Sequence, residues 1–162
     1  MKRDRDDQPM SVRSRLTELA LTLPAVAAPI ANYVPYSRMG NILHISGQIP
    51  RVDGKPVTGL VGASVTVEGA QEAAKICALS IIAQIDAATG GNLDKVKQFH
   101  KLGVFVAAGP DFTQQPAVAN GASDLIVSVF GDKGKHARSA VGVASLPLGV
   151  CVEIDAIVEL DP

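Results

Sequence analysis

The strongest hydrophobic pattern in the chain lies between residues 66 and 88. Apolar side chains recur there every three or four positions, from Val67 to Ala88, which predicts an amphipathic helix. Most residues of this apolar stripe are small, so the helix can lie close to a sheet. Thr66 is suited to cap the start of the helix, and Gly90-Gly91 is suited to end it.

Two further segments have helical spacing. The first is short, from residue 12 to residue 21. The second extends from an N-cap at Asp111 or Thr113 to about Phe130. Pro116 is acceptable in this helix only because it falls within the first turn.

The remaining apolar segments predict strands, at residues 41–49, 94–107, 138–146 and 150–160. Residues 32–37 can form the hairpin partner of the first strand, and the sequence at 53–56 is typical of a turn. In the last strand, apolar residues such as Ile154 occupy one face, whereas Glu153 and Asp155 occupy the other.

The order of elements is strands, helix, strand, helix, strands. This order is typical of an α+β domain in which a mixed sheet carries both long helices on one face. The other face of the sheet is left uncovered. Because the last strand presents carboxylates there among apolar residues, we expect this face to be an oligomer interface that holds functional groups.

Composition narrows the classes of function. The 162 residues fit one domain, and 47% of them are hydrophobic but only 4% aromatic, so the chemistry falls to a few polar residues. Fifteen basic and sixteen acidic residues give a net charge of -1, without the basic excess of a nucleic-acid binder. No apolar run is long enough to span a membrane, and the two cysteines favour a reducing, cytoplasmic location.

The first residues are expected to lie outside the domain. Residues 1–10 are mostly charged and have no apolar period, so a disordered leader is predicted over residues 1–12 and the domain over residues 13–162. A signal peptide is the alternative, because basic residues precede an apolar stretch and Ala25-Val26-Ala27 resembles a cleavage site. Glu18 and Pro24 interrupt that stretch.

Few polar residues are candidates for a catalytic, ligand-binding or metal-binding role. The three histidines, His44, His100 and His136, lack metal-ligand spacing, so no metal site is predicted. Arg138 begins a predicted strand and can bind a carboxylate through two hydrogen bonds, although by itself it is better explained by a surface salt bridge. Glu153 lies within an apolar strand and must be paired or solvated, so by itself it is better explained as an edge or interface carboxylate paired with a lysine.

Several short motifs, taken together, resemble the RidA family, also called YjgF-like or L-PSP endoribonuclease-like. The similarity runs from about Ala31 to Leu160, and the SGQIP strand end and the C-terminal motifs are specific as a pair. The motifs are Tyr36-Ser37, Gly40-Asn41, SGQIP at residues 46–50, Ala137-Arg138-Ser139, Leu146-Pro147 and VEIDAI at residues 152–157.

This resemblance implies a chorismate-mutase-like subunit and a homotrimer whose sheets surround a central barrel, with pockets between subunits. It also implies hydrolysis of reactive enamines and imines, such as 2-aminoacrylate, to a 2-oxo acid and ammonia without a cofactor. By the same resemblance, Arg138 binds the substrate carboxylate and Glu153 handles the attacking water. The implied substrate-binding residues are Tyr36, Ser46, Gly47, Asn120 and Gly142.

The chain departs from RidA itself near the arginine, which suggests a divergent subgroup. Ala140 and Gly142 replace the usual cysteine and glutamate, and Gly142 is expected to leave space where a carboxylate would stand. The segment GDKGKH, residues 131–136, lengthens the preceding loop. Besides an imine hydrolase, the sequence therefore allows a non-catalytic or regulatory binder of small carboxylates. An endoribonuclease is a third reading, which the charge balance disfavours.

Overall fold

The described part of the chain, residues 10–26 and 32–162 of a computed structural model, contains three α-helices and seven strands. They follow one another as α1 (Val12–Glu18), β1 (Tyr36–Met39), β2 (Ile42–Gln48), β3 (Arg51–Val52), β4 (Lys55–Pro56), α2 (Val67–Ala88), β5 (Val96–Ala107), α3 (Gln115–Phe130), β6 (Ala137–Val143) and β7 (Val152–Leu160).

Five strands form one mixed sheet in the order β1-β2-β7-β5-β6, which confirms the predicted α+β architecture. Neighbouring strands are antiparallel except β5 and β6, which are parallel. Strands β3 and β4 form a separate hairpin around the turn predicted at residues 53–56. Helices α2 and α3 pack against each other on one face of the sheet, and the opposite face is open.

The core lies between the two long helices and the sheet, and it is largely aliphatic. Strand β7 alternates buried and half-buried residues along its whole length, as predicted. At Gly121, α3 approaches the backbone of Gln71 on α2 so closely that a side chain would not fit. Phe99 and Phe130 supply an aromatic contact, with ring centroids 5.0 Å apart.

Helix α2 begins as predicted, because the Thr66 hydroxyl accepts the N–H of Gly69 at 3.0 Å. Helix α3 does not begin at the predicted cap. Its N-cap is Gln114, which makes no side-chain capping bond, and Pro116 lies in the first turn as expected. The predicted caps are displaced from the helix start because a turn forms first, with the Phe112 N–H donating to the Gly109 carbonyl.

Several predicted boundaries are too wide. Helix α1 ends at Glu18 because Ala20 takes a left-handed conformation with φ of 53°. Strand β6 ends at Val143, and β7 begins only at Val152, because a short 3-10 turn at Pro147–Gly149 separates them. The hairpin partner of β2, predicted at residues 32–37, is instead the shifted segment Tyr36–Met39.

The structure describes only some of the residues on which the N-terminal predictions depend. Residues 1–9 of the predicted leader, and Ala27 of the candidate cleavage site, lie outside the described residues. Ser11 and Val12 belong to the first helix: the Ser11 hydroxyl caps it, and the Val12 N–H donates to Asp94 Oδ1 at 2.8 Å. Among the described helices, none is long and apolar enough to cross a membrane.

Candidate active site

Two neighbouring carboxylates occupy the open face of the sheet. Glu153 and Asp155 lie two residues apart on β7, so the strand alternation places both side chains on this face. Their cross-strand partners on β5 are Phe105 and Gly103. Both acidic residues are half-buried, in contrast to the exposed carboxylates of most surfaces.

Two glycines make room for these carboxylates. Gly47 on β2 lies against the Glu153 carboxylate, and a Cβ at position 47 would overlap it. Gly103 stands in the same relation to Asp155, and its N–H donates to Asp155 Oδ1 at 3.1 Å. The group that lies against Gly47 is thus the Glu153 carboxylate, and the register of β2 against β7 shifts between Ile45 and Gln48, as in a β-bulge.

The environment makes both carboxyls harder to ionise. Burial raises the pKa of Glu153, and the negative charge of Asp155 raises it further. Burial also raises the pKa of Asp155, against the opposing effects of the Gly103 hydrogen bond and the positive charge of Lys101. A carboxyl whose pKa is shifted towards neutrality is suited to exchange protons with a reacting group.

A cleft of about 530 Å³ opens on this face beside Asp155. Ser46 and Gly47 line it at the end of β2, together with His44 and Tyr33. Sequence reasoning missed Asp155 as a site residue, although the alternation of β7 had already placed it beside Glu153.

Ser46 and one of the two tyrosines lie at the edge of this cleft. The Ser46 hydroxyl donates to the Val34 carbonyl at 2.7 Å, which ties the segment carrying Tyr33 to the strand. Tyr36, the tyrosine chosen from the sequence, pairs with Ile45 and packs against the core. Tyr33, three residues earlier, is the tyrosine that lines the cleft, and the chain contains only these two.

Arg138 lies on the edge strand β6 and points towards α3. Its partner on β5 is Leu102, a fully buried core residue, so both side chains are on the helical face. Nη1 of Arg138 donates to Asn120 Oδ1 at 2.9 Å and to Ser123 Oγ at 3.0 Å. Nη2 and Nε have no hydrogen-bond partner among the described residues, and this free edge has the geometry to bind a carboxylate.

The space expected at Gly142 is filled. A Cβ at this position would come within 2.9 Å of Gln115 Nε2. That amide belongs to the first residue of α3 and donates to the Phe112 carbonyl at 2.8 Å. A neutral amide therefore occupies the place where the sequence predicted a vacancy, and Ala140, two residues earlier on β6, packs against the core.

The predicted site residues thus form two groups. Arg138 and Asn120 lie on the helical face, whereas Ser46, Gly47 and Glu153 lie at the open face. Arg138 is on the edge strand β6, whereas Glu153 is on the central strand β7 and Ser46 and Gly47 are on β2. Within one subunit the expected pair of Arg138 and Glu153 is not assembled.

Metal binding finds no support in the part of the chain that the structure describes. No three His, Cys, Asp or Glu residues there are grouped so that they could hold a metal ion. The charged side chains that the structure places in the two groups are the guanidinium of Arg138 and the carboxyls of Glu153 and Asp155.

Comparison with known proteins fits this fold and these motifs. Residues 13–160 match the family model described as "YjgF/chorismate_mutase-like, putative endoribonuclease". The chain belongs to the YjgF/RidA family. Protein TCP17 from Trypanosoma cruzi is 55% identical over 152 residues, covering 93% of this chain and 94% of that protein.

Solved structures place the chain within the YjgF/RidA family at some distance from RidA itself. The protein Atu1372 from Agrobacterium tumefaciens has 53% identity and a TM-score of 0.86, and the match covers 93% of this chain and 94% of the Atu1372 chain. RidA from the Antarctic bacterium Psychrobacter has 27% identity and a TM-score of 0.56, and the match covers 82% of this chain and 92% of the RidA chain. The lower similarity to RidA agrees with the departures at Ala140 and Gly142.

Proposed function

We propose that this protein hydrolyses reactive enamines and imines that carry a carboxylate, of the 2-aminoacrylate type, to a 2-oxo acid and ammonia. The observation that carries the proposal is the free edge of the Arg138 guanidinium, since Asn120 and Ser123 both bind through Nη1. A fixed cation with two unused donors is suited to hold a planar carboxylate.

We further propose that the protein acts as a homotrimer and that its site lies between subunits. Arg138 lies on the edge strand β6 and Glu153 on the central strand β7, and they project from opposite faces of the sheet, so a single subunit cannot present both to one small substrate. In a ring of three subunits joined head to tail, the β6 edge of one subunit meets the β1–β2 edge of the next. Arg138 of one subunit then faces the open sheet face that carries Glu153 of its neighbour.

In this arrangement the reaction needs one water and one proton shuttle. Protonation of 2-aminoacrylate on C3 gives the iminium ion. Glu153 removes a proton from water as the water oxygen bonds to C2, and the π electron pair of the C=N bond moves to nitrogen, which leaves a neutral amine. The protonated Glu153 then gives its proton to that amine. The C–N bond breaks and ammonia leaves as the hydroxyl group loses its proton to solvent and becomes the carbonyl of the 2-oxo acid.

Burial suits Glu153 to this task because it raises the pKa of the carboxyl towards the pH at which the proton must be exchanged. Orientation of the carboxylate on Arg138 and general-acid/base help by Glu153 are expected to accelerate hydrolysis by roughly 10²–10⁴-fold. The reaction needs no group beyond these side chains, and the reducing location suggested by the cysteines makes the cytoplasm the expected compartment.

The proposal is tested by following 2-oxo acid release from freshly generated 2-aminoacrylate. We expect release well above the buffer rate, and loss of that excess in Arg138→Ala. Release equal to buffer would contradict the hydrolase.

The neutral surroundings of Gly142 and Ala140 favour a second candidate, a non-catalytic binder of small carboxylates. Saturable binding of a 2-oxo acid that depends on Arg138, without turnover of the imine, would select this candidate. RNA cleavage by the wild type that survives Arg138→Ala would instead select the endoribonuclease.

A further inference from the structure

The hydrogen bonds of Arg138 continue beyond the residues that touch it. Ser123 Oγ, which accepts from Arg138 Nη1, lies 2.9 Å from His136 Nε2. His136 Nδ1 in turn lies 2.6 Å from the Gly134 carbonyl oxygen. These three groups are half-buried or buried, so each hydrogen bond lies partly out of water.

Donor and acceptor accounting gives this chain of bonds one direction. A guanidinium can only donate, so Ser123 Oγ accepts from Arg138 and its own proton must go elsewhere. The Gly134 carbonyl can only accept, so His136 Nδ1 carries the ring proton. His136 Nε2 of the neutral ring is then the acceptor for the Ser123 hydroxyl.

The far end of this chain of bonds is anchored by the loop at residues 131–136. Gly134 packs on α3, and a Cβ there would come within 2.7 Å of the Ile126 carbonyl oxygen. The Lys133 ammonium donates to the Val96 carbonyl at 3.0 Å, which fastens the loop to β5. The Gln98 amide donates to the Lys135 carbonyl, which fastens it a second time.

We infer that Ser123 and His136 are positioning residues for Arg138. Together with the anchored Gly134 carbonyl they form a relay that turns Nη1 inward and presents Nη2 and Nε to the substrate carboxylate. This inference rests on the proposed role of Arg138 in binding a carboxylate. It gives a function to the lengthened loop at residues 131–136, which places His136 within hydrogen-bond distance of Ser123, the partner of Arg138.

The relay predicts a specific kinetic signature. A carboxylate held by Arg138 is bound alike before and during the reaction, so loosening the guanidinium should raise KM and leave kcat nearly unchanged. The loss of one charge-assisted hydrogen bond to the guanidinium is expected to raise KM about tenfold. The dissociation constant of pyruvate should rise by a similar factor.

The experiment compares wild type, Ser123→Ala, Ser123→Thr and His136→Phe in 2-aminoacrylate hydrolysis and pyruvate binding. Ser128→Ala is the matched control, because Ser128 lies on the same helix and its hydroxyl bonds only within α3, to the Leu125 carbonyl. We expect raised KM and weakened pyruvate binding in Ser123→Ala and His136→Phe, recovery in Ser123→Thr, and no change in Ser128→Ala. Wild-type KM and pyruvate affinity in Ser123→Ala would overturn the relay.

Nitrogen NMR of the folded protein tests the direction of the relay without any activity. The ring of His136 should carry its proton on Nδ1 and leave Nε2 unprotonated, and a proton on Nε2 of the neutral ring would overturn the relay. If the wild type binds pyruvate but hydrolyses no imine, and Ser123→Ala weakens that binding, the relay stands and only the hydrolase fails.

Discussion

Arg138 and Glu153 project from opposite faces of the same five-stranded sheet. Arg138 pairs with the buried Leu102 on β5, and Glu153 pairs with Phe105, three residues further along that strand. An odd separation along a strand reverses the side of the sheet, which places the guanidinium on the helical face and the carboxylate on the open face. This is why the proposed site takes Arg138 from one subunit and Glu153 from another.

Replacement of Arg138 is expected to remove carboxylate binding. Arg138→Ala loses both free donors, and Arg138→Lys keeps the charge but not the planar fork. We expect pyruvate affinity to fall by roughly 10–100-fold in Arg138→Ala and by less in Arg138→Lys. Titration calorimetry checks this, and Arg51→Ala, at an exposed arginine of β3, serves as the control. Equal affinities in wild type and Arg138→Ala would assign the carboxylate to another residue.

Replacement of Glu153 by Gln is expected to affect turnover more than binding. Glutamine keeps the size of the side chain but cannot take a proton from water, so kcat should fall by roughly 10²–10⁴-fold. Because burial raises the pKa of Glu153, the wild-type rate should fall with decreasing pH at a higher pH than an exposed glutamate would give. Glu159→Gln, further along β7, is the control, and a wild-type rate in Glu153→Gln would contradict the proposed role.

A methyl group added at Gly47 should lower kcat, as the replacement of Glu153 does. Gly47→Ala places a Cβ where the Glu153 carboxylate lies, and that flexible side chain must move aside. We expect a folded protein whose kcat drops at least tenfold, since small displacements of a catalytic group are costly. Gly109→Ala is the matched control, because a Cβ there meets open space. Wild-type kinetics in Gly47→Ala would mean that the position of this carboxylate does not matter.

Asp155 should make stability depend on pH. Burial raises its pKa in the folded chain, so the folded state binds the proton more tightly than the unfolded state. The free energy of unfolding therefore falls as pH rises from the ordinary pKa of aspartate, about 4, through the raised pKa of Asp155, and no such fall occurs below the ordinary value. In Asp155→Asn the side chain cannot ionise, so this loss of stability should not occur.

Melting temperatures measured across this range check the sign of that dependence. Asp155→Asn should match wild type at low pH and melt progressively higher than wild type towards neutral pH. The exposed Asp124 of α3 gives a control variant, Asp124→Asn, without such a trend. A melting temperature for Asp155→Asn that falls below wild type towards neutral pH would reverse the assignment.

The sequence predicted the elements better than it predicted the site. The helical stripe ending at Ala88 and the alternation of β7 are local patterns, and both appear in the structure with the expected faces. The start of α3 could not be predicted, because the turn at Phe112, rather than a polar side chain, decides where the helix begins. The break between β6 and β7 likewise depends on the left-handed conformation of Leu148.

The site residues depend on contacts between distant parts of the chain, which spacing does not reveal. Nothing in the local sequence indicates that Ser123 and His136 meet behind Arg138, or that Gln115 fills the space at Gly142. Spacing also does not show which tyrosine lines the cleft beside Asp155; in the structure it is Tyr33. The side of the sheet taken by Arg138 required the register of β6 against β5.

Mixed trimers test the central claim most directly. Arg138→Ala and Glu153→Gln, each inactive alone, are unfolded together in equal amounts and reassembled. If each site takes Arg138 from one subunit and Glu153 from the next, random mixing restores about a quarter of the sites, and the mixture should recover about a quarter of wild-type activity. A mixture that reassembles into trimers but stays as inactive as the two separate variants would contradict a site shared between subunits.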